Sequence, residues 1–300
     1  MHGSTLRFIR WWSTPLMNRW RWTRSHLANE RTHMIPRATP HVSTHFAASG
    51  DGIQIAYDLT GNGPAVILLH GGGQTRRIWH DAGYVERLAQ EFTVITVDLR
   101  GNGESDKPVA ADAYSVDHVT ADILAVADAT GASVFSIWGF SYGANVGRYV
   151  AMRSARVRSM IYVGIPFGAA APGAFRQYIV DGRAKWTPIV EAARAGKLDE
   201  QSLSEADRLE WRRGTVPVSL AWLSAMLAYP PVEPRDMPCP TLWIVGTANL
   251  DAIESVKAYE PQLVGTRVTV MLLEGLTHAQ EQERIDVALP KELEFTRTYQ

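Results

Sequence analysis

Only one cysteine, Cys239, occurs in a chain of 300 residues. That excludes an internal disulfide framework and any zinc or iron–sulfur site built on several thiolates, and no metal site is expected. Charge of one sign is lacking too. Thirty basic side chains face 31 acidic ones, and a formal net charge of −1 gives no sign of a nucleic-acid partner. Long apolar runs are missing. No stretch approaches the roughly 20 apolar residues of a membrane span. The one candidate for the apolar core of a signal peptide is broken by Arg10 and by Ser13-Thr14-Pro15. A cytoplasmic protein with no integral membrane association is expected. Phosphate loops are absent as well: Gly71-Gly72-Gly73 lacks the Walker lysine, and Gly101-Asn102-Gly103 lacks a third glycine, so no cofactor is expected.

What is present divides unevenly. Residues 1–45 hold seven arginines (Arg7, Arg10, Arg19, Arg21, Arg24, Arg31, Arg37) against one acid, Glu30, and four of the ten tryptophans. The near-zero total therefore joins a basic extension to an acidic body. Alternating Arg and Trp suits a bilayer surface or a nucleic-acid tail. The plainer alternative is a disordered leader over 1–42, or upstream sequence ahead of a start at Met34. Beyond it, 46% apolar and 20% charged residues overall are ordinary for a globular protein with a large core.

From about residue 43 short apolar runs alternate with helix-length amphipathic stretches. The runs are Thr44–Ala48, Ile53–Leu59, Ala65–Leu69, Phe92–Val97, Val134–Trp138, Ser159–Val163, Leu242–Val245 and Val268–Leu273. Ser49-Gly50-Asp51-Gly52 reads as a hairpin turn between the first two. Val116–Ala129 and Tyr142–Arg153 read as helices. Alternating β and α elements with β-branched strands predict an α/β fold, a mostly parallel, doubly wound sheet with helices on both faces. One spacing is irregular. Between Val163 and Leu242 no strand-like run occurs; Gly173–Ala195, Ser204–Arg213 and Pro217–Ala228 look helical, between linker-like Gly168–Gly173 and Tyr229–Pro234. A helical cap over about 167–238, inserted after the sixth strand of the body at 43–298, is expected.

Ligands of open parallel sheets bind at the carboxyl ends of the strands, which is where chemistry should be sought. After Val134–Trp138 comes Gly139-Phe140-Ser141-Tyr142-Gly143, a G-x-S-x-G nucleophile elbow. Its serine projects at a helix N-terminus, and its glycines relieve a sharp reversal of the chain. After Ala65–Leu69 comes His70-Gly71-Gly72-Gly73, whose backbone N–H groups, with that of Tyr142, can form an oxyanion hole. A serine needs a base. His278 is the only histidine after Ser141, and it follows the last apolar run. The orienting acid should follow Leu242–Val245. Asp251 is the preferred carboxylate there, Glu254 the second, and Asn249 a neutral alternative that would hold the imidazole less well.

These motifs make the chain resemble the α/β-hydrolase fold superfamily, in its serine-nucleophile branch. The resemblance rests on Leu68–Gly73, Val97-Asp98-Leu99-Arg100-Gly101-Asn102-Gly103-Glu104-Ser105, Gly139–Gly143 and Gly275-Leu276-Thr277-His278, in the family's order. It implies Ser141 as nucleophile, His278 as base, and the amides of Gly72 and Tyr142 as oxyanion donors. It also implies that Asp98–Ser105 is a structural or rim-forming turn. Ser at 141 sets the chain apart from relatives similar to haloalkane dehalogenases and epoxide hydrolases, which use a carboxylate nucleophile. The family commonly places its acid three residues after the glycine ending the seventh strand; that residue here is Asn249. Glu281, in His278-Ala279-Gln280-Glu281, is a further carboxylate beside the base.

The activity so implied is hydrolysis of a carboxylic ester, lactone or similar acyl compound through an acyl-enzyme. Phe175, Tyr178, Ile179, Trp186, Ile189, Trp222, Met226 and Leu227 supply apolar surface for the cap core and for a small hydrophobic acyl substrate. Carbon–carbon bond hydrolysis, perhydrolysis or cofactor-free oxygenation on the same fold, or ligand binding without catalysis, are the alternatives.

Overall fold

The computed structural model describes residues 43–299. The expectations for the Arg- and Trp-rich extension fall outside these residues. The chain begins β1 (His45–Ala48), β2 (Gln54–Thr60), β3 (Ala65–Leu69), α1 (Arg77–Asp81), α2 (Tyr84–Leu88) and β4 (Thr93–Val97). It continues α3 (Val116–Ala129), β5 (Phe135–Phe140), α4 (Tyr142–Arg153) and β6 (Val157–Val163). Three helices follow, α5 (Gly173–Arg194), α6 (Glu205–Arg212) and α7 (Val216–Met226). The end comprises β7 (Thr241–Gly246), α8 (Leu250–Tyr259), β8 (Val268–Leu273), α9 (Gln280–Glu283) and α10 (Ile285–Thr298).

The eight strands form one sheet in the order β1-β2-β4-β3-β5-β6-β7-β8. β1 and β2 are antiparallel, as are β2 and β4; every later pairing is parallel. The predicted turn closes with Gly52 N–H donating to the Ser49 carbonyl at 2.9 Å. Side chains alternate between two cores because successive residues of a strand point to opposite faces. Ile67, Leu69 and Ile137 meet α3, α4 and α8 on one face. Val66, Leu68 and Trp138 meet α1, α2 and α10 on the other. Covering both faces is what makes these strands apolar throughout.

The helices between β6 and β7 have a small core of their own, Trp186, Val190 and Val216. The two linkers at its ends pair with each other: Gly168 N–H donates to the Val232 carbonyl at 2.7 Å, and Val232 N–H returns a bond at 3.0 Å. Asp98 anchors the turn after β4. It accepts from Arg76 N–H at 2.7 Å and Glu104 N–H at 2.8 Å and pairs with the Arg76 guanidinium. Among the described residues no helix is long and apolar enough to cross a membrane.

Candidate active site

The sheet delivers the elbow first. Between β5 and α4, Ser141 has φ 53° and ψ −115°, and it is the only non-glycine residue with positive φ among the described residues. Such a conformation costs on the order of 1–3 kcal/mol and persists only where the surroundings enforce it. Here they do. A Cβ at Gly139 would lie 2.5 Å from Ala144 Cα, and one at Gly143 would lie 2.1 Å from the Leu69 carbonyl oxygen. Ser141 N–H is held by the Val163 carbonyl at 3.0 Å.

His278, in the turn between β8 and α9, brings its Nε2 to 3.0 Å from Ser141 Oγ. Its ring stacks on Phe140, centroids 4.8 Å apart and planes 21° from parallel. Its Nδ1 lies 3.0 Å from Glu281 Oε2. A carboxylate accepts only, so Nδ1 carries the proton and Nε2 is left free to take one from the serine. Glu281 is fully buried, at 0% exposure. A buried carboxylate needs donors on every side, and Oε1 receives Gly246 N–H at 2.6 Å and Asn249 Nδ2 at 3.0 Å. Asn249 Nδ2 also donates to the Gly164 carbonyl at 2.8 Å. Two strand-end glycines leave room for the pair. A Cβ at Gly164 (φ +82°) would lie 2.4 Å from Glu281 Oε2 and 2.7 Å from His278 Nδ1; one at Gly246 would lie 2.1 Å from the Leu276 carbonyl oxygen.

Ser141 and His278 therefore come together as expected, and Asp251 does not join them. Asp251 and Glu254 are exposed. In α8 the buried residues are Ala252, Ile253 and Val256, and helical periodicity turns positions 251 and 254 outward. The carboxylate that reaches the imidazole is Glu281, three residues beyond His278. Asn249, at the position where the superfamily commonly has its acid, contacts that carboxylate as a donor.

On the other side of the serine lies the glycine loop. No protein acceptor takes the N–H of Gly72 or Tyr142 among the described residues. The Tyr142 amide is the first of α4, where the helix dipole favours negative charge. His70, fully buried, places Nδ1 at 2.7 Å from the Gly71 carbonyl and accepts Leu99 N–H at Nε2, 3.1 Å away. Burial lowers its pKa and keeps it neutral, as a fixed support for the loop. Trp222 of α7 covers the loop: a Cβ at Gly72 would lie 2.8 Å from its Cη2, and its ring packs on Tyr142 with centroids 4.8 Å apart. Of the other apolar residues expected for the cap core or for a substrate, Trp186 and Ile189 belong to the core among α5–α7.

Behind Glu281 is a cavity of about 10 Å³, the size of one water, lined by Trp79, Tyr84, Trp138, Gln282 and Glu292 among others. Trp79 Nε1, Gln282 Nε2 and Glu292 Oε2 have no protein partner. Burial pushes the Glu292 carboxyl up to about 8.

Comparison with known proteins agrees with this fold. The family described as the α/β hydrolase fold matches residues 64–212. Epoxide hydrolase 3 of Siraitia grosvenorii is 27% identical over 125 residues, 41% of this chain and 39% of its own length. The solved epoxide hydrolase of Vigna radiata superposes with a TM-score of 0.63 at 19% identity, covering 88% of this chain and all of that one. E-2-(acetamidomethylene)succinate hydrolase superposes with a TM-score of 0.64 at 19% identity, over 86% of this chain. The matched stretch spans about two fifths of the curated relatives' length. The chain belongs to the α/β-hydrolase fold superfamily.

Proposed function

We propose that the protein is a serine hydrolase that cleaves a carboxylic ester, lactone or similar acyl compound. The observation that carries this reading is the run of contacts from Ser141 Oγ to His278 Nε2 at 3.0 Å and from His278 Nδ1 to Glu281 Oε2 at 3.0 Å. In the proposed cycle His278 Nε2 takes the hydroxyl proton as Ser141 Oγ attacks the carbonyl carbon. Glu281 stabilises the imidazolium that results. The N–H groups of Gly72 and Tyr142 hold the oxyanion, each such donor contributing about 2.7–4 kcal/mol to the transition state. The imidazolium then protonates the leaving alkoxide. Water, deprotonated by the same imidazole, releases the acid from the acyl-enzyme.

Several relatives carry the name epoxide hydrolase, and the nucleophile distinguishes this chain from that chemistry. A carboxylate that opens an epoxide forms an ester, which water can cleave at its carbonyl. A serine that opened one would form an ether with no carbonyl to attack, and turnover would stop there. Serine at 141 therefore supports acyl transfer. The carboxylate of Glu281 beside His278 also supports catalysis over ligand binding alone. Trp222 and Tyr142 beside the serine suit a small hydrophobic acyl group.

The test is covalent labelling. Incubation with a fluorophosphonate should add one phosphonyl group to Ser141, mapped by peptide mass spectrometry, and His278→Ala should abolish it. Folded wild-type protein that takes no label would overturn the reading.

A further inference from the structure

Two glutamines outside the triad connect its acid-bearing helix to the oxyanion loop. Gln74, just past the glycine loop, accepts Gly71 N–H at Oε1, 2.8 Å away. That backbone donor fixes the orientation of the Gln74 amide, because only the oxygen can accept. Nε2 must then point the other way, and there it donates to Gln282 Oε1 at 3.0 Å. The orientation of the second amide is fixed in turn, and its Nε2 faces the cavity beside Glu292. Gln282 is 3% exposed and follows Glu281 directly in α9. The fit at the loop is close: a Cβ at Gly71 would lie 3.0 Å from both Gln74 Oε1 and Phe140 Cδ1. Phe140 is the residue on which His278 stacks.

We propose that Gln74 and Gln282 are positioning residues which set the Gly71–Gly72 loop from the helix that carries Glu281. Neither touches substrate. Their amides make the oxyanion donor and the acid parts of one hydrogen-bonded frame, so that displacement of α9 would reach the loop. The inference rests on the acyl-transfer reading for its kinetic readout only.

Gln74→Met and Gln282→Met keep side-chain length and remove the amides, and the double variant tests whether the two act as a unit. Each single variant is expected to lose about tenfold in kcat on a nitrophenyl ester with KM within about twofold, part of the roughly 10²–10³ that an oxyanion donor supplies. The double variant is expected to be no slower than the slower single one, as coupled residues behave. Backbone hydrogen exchange at Gly71, followed by mass spectrometry, should quicken in Gln282→Met although that side chain never touches Gly71. Wild-type exchange at Gly71 in folded Gln282→Met, or losses in kcat that multiply in the double variant, would overturn the proposal. If the wild type neither takes phosphonate nor cleaves esters, the proposed reaction fails, and the exchange measurement still decides the positioning role.

Discussion

Asn249 and Glu281 both lie beside Nδ1 of the imidazole, and the amide donates to the carboxylate. Asn249 Nδ2 lies 3.3 Å from His278 Nδ1, a close approach of two donors, so a carboxylate at 249 would sit where the ring N–H could reach it. Glu281→Gln is expected to lower kcat by about 10³–10⁴, the scale of an acid-to-amide change in such a triad, with little effect on KM. Asn249→Asp alone should also lower activity, since it puts a second carboxylate against a buried one and removes a donor from it. Combined with Glu281→Gln, the same Asn249→Asp should recover at least tenfold over Glu281→Gln alone. Steady-state kinetics on the four proteins, with Asp251→Asn as a control expected to retain activity, checks this. The pairing of Ser141 with His278 was legible because each carries a local signature, glycines around Ser141 and the last apolar run before His278. The carboxylate that meets the imidazole was not. Sequence distance to a strand end favoured Asp251, whereas which face of a helix is covered is decided by packing, and the room for Glu281 comes from Gly164 and Gly246, 82 residues apart in the chain.

At the scale of elements, α10 and α2 enclose a titratable group across a small cavity from Glu281. Glu292 is buried with only Tyr84 and, across the cavity, Glu281 as titratable neighbours among the cavity-lining residues. Its carboxyl is raised from an ordinary 4.5 to about 8 by burial, and the Tyr84 hydroxyl is raised by burial and then by Glu292. The folded protein therefore keeps a proton that the unfolded chain releases above 4.5. Stability from this group is full below pH 4.5, declines as pH rises towards 8, and levels off beyond. Glu292→Gln, which cannot ionise, should flatten the decline between pH 5 and 8 in urea unfolding. A slope unchanged by the substitution would show that Glu292 ionises in the fold. Element boundaries were well predicted where a turn residue marks them: β3, β8, α3 and α4 fall at the expected residues.

For the whole molecule, the order of alternating runs was enough to fix a parallel sheet covered on two faces. Strand order was not readable, because all the central strands are apolar on both sides and no run states its neighbour. The eight strands and the residues of both cores described above lie within residues 43–299. A protein beginning at residue 43 is therefore expected to melt within about 3 °C of the full chain and to label at Ser141 at the same rate. A larger fall in either measurement would assign the first 42 residues a part in the body.

The bonds between Gly168 and Val232 bear on how such a protein can change. The chain leaves the sheet after β6 and returns before β7 through a single doorway, one pair of hydrogen bonds wide. Everything between is a cassette whose ends already meet. The part built on Trp186 and Val190 has a core of its own and can vary in length, whereas Ala221, Ala225 and Met226 of α7 are packed into the core on one face of the sheet. Selection can then act on α5 and α6 while the contacts among Ser141, His278 and Glu281 are inherited intact.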